Sequence, residues 1–145
     1  METKITISAI VEKEGKILFV QEAKEVNFEK WNLPGGGIEA GEKLIDGVVR
    51  EFKEETMLDV HVHSLLGMYP QVGKTHSFNF VFLATIINGE ATAGDQILQC
   101  KWMTPEEFLS MNDEHILSSK KLRTAIEDYI KGIRYPLEII TELRK

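Results

Sequence analysis

Residues 36–58, GGIEAGEKLIDGVVREFKEETML, join a glycine turn to a helix that must lie with one side against a sheet. Wound at about 3.6 residues per turn, Leu44, Ile45, Val48, Val49 and Phe52 cover one arc, while Arg50, Glu51, Glu54 and Glu55 cover another. The first arc needs an apolar surface to pack on. The second gathers three carboxylates whose like charges repel at helical spacing, a cost that a divalent cation among them would offset. Taken alone, an acidic helix face is most often a solvated surface, so its surroundings decide the reading.

Those surroundings are regular. From Gly36, five residues lead to Glu42 and seven more to Arg50-Glu51; Glu54-Glu55 follow after two, and aliphatic Leu58 closes the run. This spacing resembles the Nudix box of the Nudix hydrolases, the MutT-like proteins. The resemblance implies an α/β fold, the Nudix three-layer α/β/α sandwich around a mixed β-sheet. It also implies Mg²⁺- or Mn²⁺-dependent hydrolysis of a phosphoanhydride in a nucleoside diphosphate linked to another group. Carried over by position, Glu51, Glu54, Glu55 and the Gly35 carbonyl become the metal ligands. Glu51 and Glu54 become the catalytic carboxylates, Arg50 orients them, and Glu42 braces the loop. Which glutamate acts as base, and how many metals bind, stay open.

Two positions depart from the family pattern. The glycine expected before the closing aliphatic is Met57, at a point where a helix ending in the left-handed region favours glycine. Six residues before Trp102, where many relatives carry a further acidic ligand, stands Gln96; its neighbour Asp95 would point to the opposite face if both lay on a strand.

The chain has 145 residues, which fits one domain spanning 1–145. Its net charge of −6 argues against general nucleic-acid binding, yet a small phosphorylated substrate can be neutralised locally by a metal and a few cations. The single cysteine, Cys100, excludes an internal disulfide and reads as a small buried residue. The N-terminal stretch lacks a signal-peptide core and no long apolar run follows, so a cytoplasmic protein without a membrane span is expected. Monomer and homodimer are both open.

Along the chain, residues 4–12 and 16–22 read as a hairpin about the Lys13-Glu14-Gly15 turn. Trp31 to Gly37, WNLPGGG, reads as a loop able to wrap a ligand closely. Gly47 lies one turn before Arg50, either as a helix-weakening residue or as a gap through which a phosphate, water or the Gly35 loop approaches. Segments 59–69, 77–87 and 97–103 read as strands, Thr104-Pro105-Glu106-Glu107 as a capped helix start, and 118–131 as a helix. His61 and His63 alternate on one strand face without a third ligand, and read as surface residues.

Beyond the box, the Trp31-Asn32-Leu33-Pro34 lead, the Cys100-Lys101-Trp102 run and Arg134-Tyr135-Pro136-Leu137-Glu138 resemble the NudJ-type phosphatases. That likeness implies nucleoside di- and triphosphates or hydroxymethylpyrimidine diphosphate as substrates. Phe28, Trp31, Tyr69, His76, Phe78 and Phe80 are candidates to hold an organic group, and Lys74 and His76 to meet phosphate; of these, Trp31, Lys74, His76 and Phe78 form the expected substrate set. Arg134 meets either a phosphate or a carboxylate of its own chain. The alternative to an enzyme is a noncatalytic Nudix module that binds a nucleotide-derived ligand.

Overall fold

The computed structural model describes residues 2–145. Strands β1 (Thr3–Lys13) and β2 (Lys16–Glu22) form the expected hairpin, but they pair only at Glu12–Ile17 and Lys13–Lys16, beside the turn. Beyond that point they diverge. β1 runs parallel to β6 (His76–Asn88), which pairs antiparallel with β5 (Asp59–Met68); β2 pairs antiparallel with β7 (Ile97–Met103). One parallel pairing among antiparallel ones makes the sheet mixed.

The gap between the diverging strands is filled by residues 31–37. Trp31–Asn32 (β3) pairs with β2, and Gly35–Gly37 (β4) pairs with β1. The expectation of a loop over these residues is therefore corrected in part: Trp31–Asn32 and Gly35–Gly37 are short strands held by backbone ladders. Glycine has low strand propensity, so pattern reading had nothing to detect there.

Alternation along the strands divides the apolar residues into two cores. Ile7, Ala9, Val11, Leu18, Phe82 and Ala84 face Val48 and Phe52 of helix α1 (Leu44–Thr56). Ile10, Ile17, Phe19, Val81 and Leu83 face Phe108 of α2 (Pro105–Leu109) and Leu122, Ala125 and Ile126 of α3 (Ser119–Ile130). A core on each face gives the three-layer α/β/α sandwich that the sequence implied. Each fully buried large side chain, such as Phe52 or Phe19, contributes ~1.5–3 kcal/mol. α2 begins as its sequence suggested, with Thr104 and Glu107 bonding reciprocally in a capping box.

Both ends of α1 are finished by distant segments. At its start Lys43 makes no side-chain cap, and the Leu44 N–H instead donates to the Glu142 carboxylate at 2.8 Å. A negative charge is favourable at that end of the helix dipole. Glu142 arrives there because the chain after α3 crosses the outer edge of β5: Tyr135 and Leu65 exchange two backbone bonds, and Leu137 and Ile140 pack on the α1-side core. Arg134-Tyr135-Pro136 thus has a structural role, covering a sheet edge. At the other end Met57 takes the left-handed conformation, φ 63°, that the sequence pattern flagged. The carbonyls of Glu54, Glu55 and Thr56 accept N–H bonds from Asp95, Gly94 and Thr92, each at 2.9 Å, which satisfies groups a helix end leaves open. Asp95 and Gln96 lie in the turn before β7, with Gln96 at φ 58°, so strand alternation does not govern them.

Candidate active site

The buried stripe of α1 is Gly47, Val48, Phe52 and Thr56, while Val49 is 36% exposed. The apolar arc is thereby rotated from its expected position. In consequence the glutamates separate: the Glu51 side chain is 13% exposed and Glu54 48%. Glu51 and Glu55, one turn apart, border the buried stripe, and Glu54 faces outward. Gly47 faces the sheet rather than the carboxylates. A Cβ there would lie 2.9 Å from Ile38 and 3.0 Å from the Glu42 carboxylate, so the residue is small because the loop closes on the helix at this point.

Arg50 organises the loop against the helix. Its Nε donates to Glu42 Oε2 at 2.7 Å and its Nη2 to Glu42 Oε1 at 3.1 Å. Further bonds run from Nη1 to Glu51 at 2.9 Å and Glu54 at 3.3 Å, and from Nη2 to the Gly37 carbonyl at 3.1 Å. These bonds hold the Glu42 carboxyl below its ordinary range and raise the guanidinium still further. Glu42 also accepts the Glu39 N–H, so it braces the loop as the resemblance implied.

Glu55 lies deeper. Its Oε1 accepts the Gly35 N–H at 3.0 Å, and no ion pair reaches it among the described residues. Burial pushes its carboxyl up to about 8 against the pull of that N–H, with Glu51 and Glu22 adding to the rise. Glu51 is raised by burial too, opposed by Arg50. The loop leaves space for these acids: a Cβ on Gly36 would come within 2.6 Å of Glu51 Oε1. Cys100 sits behind the site, half-buried, its thiol pushed up to about 11 by burial and then by Glu55, which makes it a packing residue and not a nucleophile.

The donor chemistry fits a hard divalent cation: carboxylates, one of them half-buried with no ion pair among the described residues, beside a glycine backbone. They are splayed in this structure. Glu51 and Glu54 lean on Arg50, Glu55 leans on Gly35, and no three acidic, histidine or cysteine side chains of the described residues form a ready cage. Mutual repulsion favours the spreading, offset by Arg50 at Glu51 and by the more distant charge of Lys24 at Glu51 and Glu55.

Comparison with known proteins bears on this geometry. The NUDIX domain matches residues 2–124. The chain belongs to the Nudix hydrolase family. It is accordingly a hydrolase of phosphoanhydrides. Phosphatase NudJ of Escherichia coli is 32% identical over 141 residues, covering 94% of this chain and 89% of that protein. An ADP-ribose pyrophosphatase of Methanocaldococcus jannaschii is 36% identical over 112 residues, 75% of this chain, and the match spans 63% of that relative's length. Among solved structures, a NUDIX hydrolase from Nitrosomonas europaea superposes with a TM-score of 0.87 at 26% identity, covering 98% of both chains.

Around the Nudix box, the expected substrate residues scatter. Trp31 is only 9% exposed, part of the core beneath α2 and α3, and its face is not free to stack on a ligand. His76 and Phe78 pair with Thr3 and Ile5 at the start of β1, with Phe78 43% exposed, and Lys74 is exposed in the turn before them. Tyr69 donates to Asp128, Phe80 packs against the α1-side core, and Phe28 is exposed after β2. His61 is exposed and His63 meets Ser64, consistent with surface residues. A cavity of about 580 Å³ runs along Thr3 to Thr6 and Gly36 to Ile38, bringing Lys4 next to the loop.

Sequence reading missed two buried polar residues. Asn79, 3% exposed, bonds Thr6, Lys121 and the Tyr69 carbonyl. Glu22, 7% exposed, ends β2 beside the acidic site. Neither breaks an alternating pattern strongly enough to be noticed.

Proposed function

We propose that this chain hydrolyses a nucleoside di- or triphosphate, or a related small diphosphate, with Mg²⁺ or Mn²⁺, in the manner of a NudJ-like phosphatase. The observation that carries the reading is Glu55, half-buried against the Gly35 N–H with no ion pair among the described residues, one helical turn from Glu51. Glu54, Glu55 and the Gly35 carbonyl hold the ion. Glu51 either completes the metal site or takes the proton of the attacking water. When bound, the ion neutralises phosphoryl charge and lowers the pKa of coordinated water. Arg50 keeps Glu51 and Glu54 from folding away, and the bond to Glu42 keeps Arg50 itself in place.

The groove along Thr3 to Thr6 supports a location for the organic group beside the loop. It adjoins Gly36, next to Glu51, and Lys4 places a positive charge there. His76 and Phe78 lie on the neighbouring strand at Thr3 and Ile5, which supports a substrate role for both, with Lys74 nearby in sequence. The coverage of NudJ, 89% of that protein, favours the phosphatase over the pyrophosphatase as the nearer template. No helix of the described residues is long and apolar enough to cross a membrane.

The test is a screen for phosphate and pyrophosphate release with Mg²⁺ and Mn²⁺ across nucleotides, ADP-ribose, sugar nucleotides and pyrimidine diphosphates. Orthophosphate from a nucleotide or pyrimidine diphosphate is expected. AMP from ADP-ribose would replace the phosphatase reading with that of a pyrophosphatase, and binding without turnover would indicate a ligand-binding module.

A further inference from the structure

The connection between β5 and β6 and one side of α3 enclose a second cavity, of about 530 Å³, whose walls include Met68, Tyr69, Gln71, Lys120, Lys121 and Thr124. That is room for a nucleotide-sized ligand. Neither lysine forms an ion pair among the described residues, and the one carboxylate bonded to the wall, Asp128, accepts from the Tyr69 hydroxyl at 2.8 Å. Both lysines stand in the first turn of α3, which holds no acid, at the end of the helix dipole that disfavours a cation.

Lys121 is drawn inward. Its half-buried ammonium donates to Asn79 Oδ1 at 3.3 Å, and burial lowers its pKa from the ordinary lysine value. Asn79, 3% exposed, cannot turn away, because its Nδ2 donates to the Tyr69 carbonyl at 2.8 Å, the Ser77 hydroxyl at 3.1 Å and Gln71 Oε1 at 3.4 Å. Its Oδ1 is thereby aimed at Lys121 and Thr6. A neutral amide oxygen occupies one of the three ammonium donors and cancels none of the charge. Gln71 Oε1 is taken by Ser77 and Asn79, which leaves its amide N–H groups for a ligand. A cation held partly out of water, against the dipole and beside open space, is completed by an anion.

We infer that this cavity is a phosphate site separate from the carboxylates of α1, in which Lys121 meets the phosphate oxygens, Lys120 adds charge at the rim, and Asn79 positions Lys121. None of the residues lining it belongs to α1 or to the segment from Trp31 to Ile38. One link joins the two regions: Asn79 accepts from Thr6, and Thr6 pairs with Gly37 of the loop. The phosphate comes either from the substrate, as an anionic group beyond the scissile bond, or from free orthophosphate. The first source rests on the phosphoanhydride reading above, whereas phosphate binding itself needs no metal.

The test is titration of orthophosphate in EDTA, followed by calorimetry and thermal melting against chloride at equal ionic strength, for wild type and Lys121→Met. Without metal the acids of α1 repel a free anion, so uptake reports on this cavity. Wild type is expected to bind orthophosphate and to melt higher with it. Lys121→Met should bind about tenfold more weakly, while its melting temperature without phosphate stays equal or rises. No phosphate-specific uptake by wild type, or equal uptake by Lys121→Met, overturns the inference. Michaelis constants with Mg²⁺ then separate the sources: a higher KM in Lys121→Met assigns the site to the substrate, and an unchanged KM beside weakened orthophosphate uptake assigns it to free phosphate. Absent turnover in wild type would sink the metal-dependent reading and leave the orthophosphate result standing. Should Lys121→Met not fold, Lys121→Gln keeps a donor for Asn79 and removes the charge: weakened uptake supports the site and wild-type uptake contradicts it.

Discussion

Arg50 grips Glu42 with two bonds, Nε to Oε2 at 2.7 Å and Nη2 to Oε1 at 3.1 Å, across the junction of loop and helix. The same guanidinium reaches Glu51, Glu54 and the Gly37 carbonyl, so one side chain sets the spacing of loop and carboxylates together. Its planar fork is what makes this possible, and lysine, a point charge with rotating donors, has no equivalent.

Arg50→Lys is therefore expected to destabilise the protein by ~1–3 kcal/mol and to lower kcat/KM. Thermal melting and steady-state kinetics check this. An unchanged melting temperature with unchanged turnover would show that the network is incidental.

Gly36→Ala puts a methyl group 2.6 Å from the Glu51 carboxylate, a flexible neighbour that yields where backbone would not. The fold should survive and the carboxylate should move. Turnover is expected to fall by about a hundredfold, the usual scale for a misplacement near 1 Å, with little loss of melting temperature. Wild-type rates in this variant would mean that Glu51 needs no fixed position.

Met57 occupies a left-handed conformation, φ 63°, at the end of α1 and is 47% exposed, so little packing is lost on replacing it. Relief of the side-chain clash outweighs the extra freedom that glycine gives the unfolded chain. Met57→Gly should stabilise by ~0.5–1 kcal/mol without altering Mn²⁺ affinity. Denaturant unfolding measures this directly, and a lower midpoint would count against the strain.

The metal-free protein should lose stability as pH rises. The Glu55 carboxyl stands at about 8 when folded, against an ordinary 4.5, so between those values the folded state holds the extra proton. Its penalty is absent below the lower value, grows through the interval and levels off above the upper one. Glu22 and Glu51 shift the same way, while the depressed carboxyls of Glu42 and Asp113 act at lower pH. Melting in EDTA should fall from about pH 5 to about pH 8, and saturating Mg²⁺ should flatten or reverse that slope, since the ion takes the ionised forms. A melting temperature that climbs with pH in EDTA would contradict the burial of these acids.

Much of this molecule was legible in its residues. The two β-rich segments about Gly15, the strand at 97–103 and the start at Thr104-Pro105 announced their elements through local pattern and turn chemistry, and the structure has them there. What escaped depended on distant partners. Gly35–Gly37 is a strand only because β1 and β2 part and leave backbone groups to be paired. Glu142 meets Leu44 across 98 positions, and Asp95 is a helix cap only once β7 lies beside α1. The apolar arc of α1 was misplaced because Val49 looks as suitable for a core as Val48; the sheet, not the periodicity, chose between them. Trp31 read as a residue to hold an organic group, and packing buries it instead.

Turnover of the best substrate from the screen, measured with Mg²⁺ for Glu54→Gln and Glu55→Gln beside wild type, bears most directly on the whole scheme. Each variant keeps the shape of the side chain and removes one charge. Losses of about a hundredfold or more, with melting temperatures at or above wild type, are expected if these carboxylates carry the metal-dependent chemistry. Near-normal rates in both variants would contradict it.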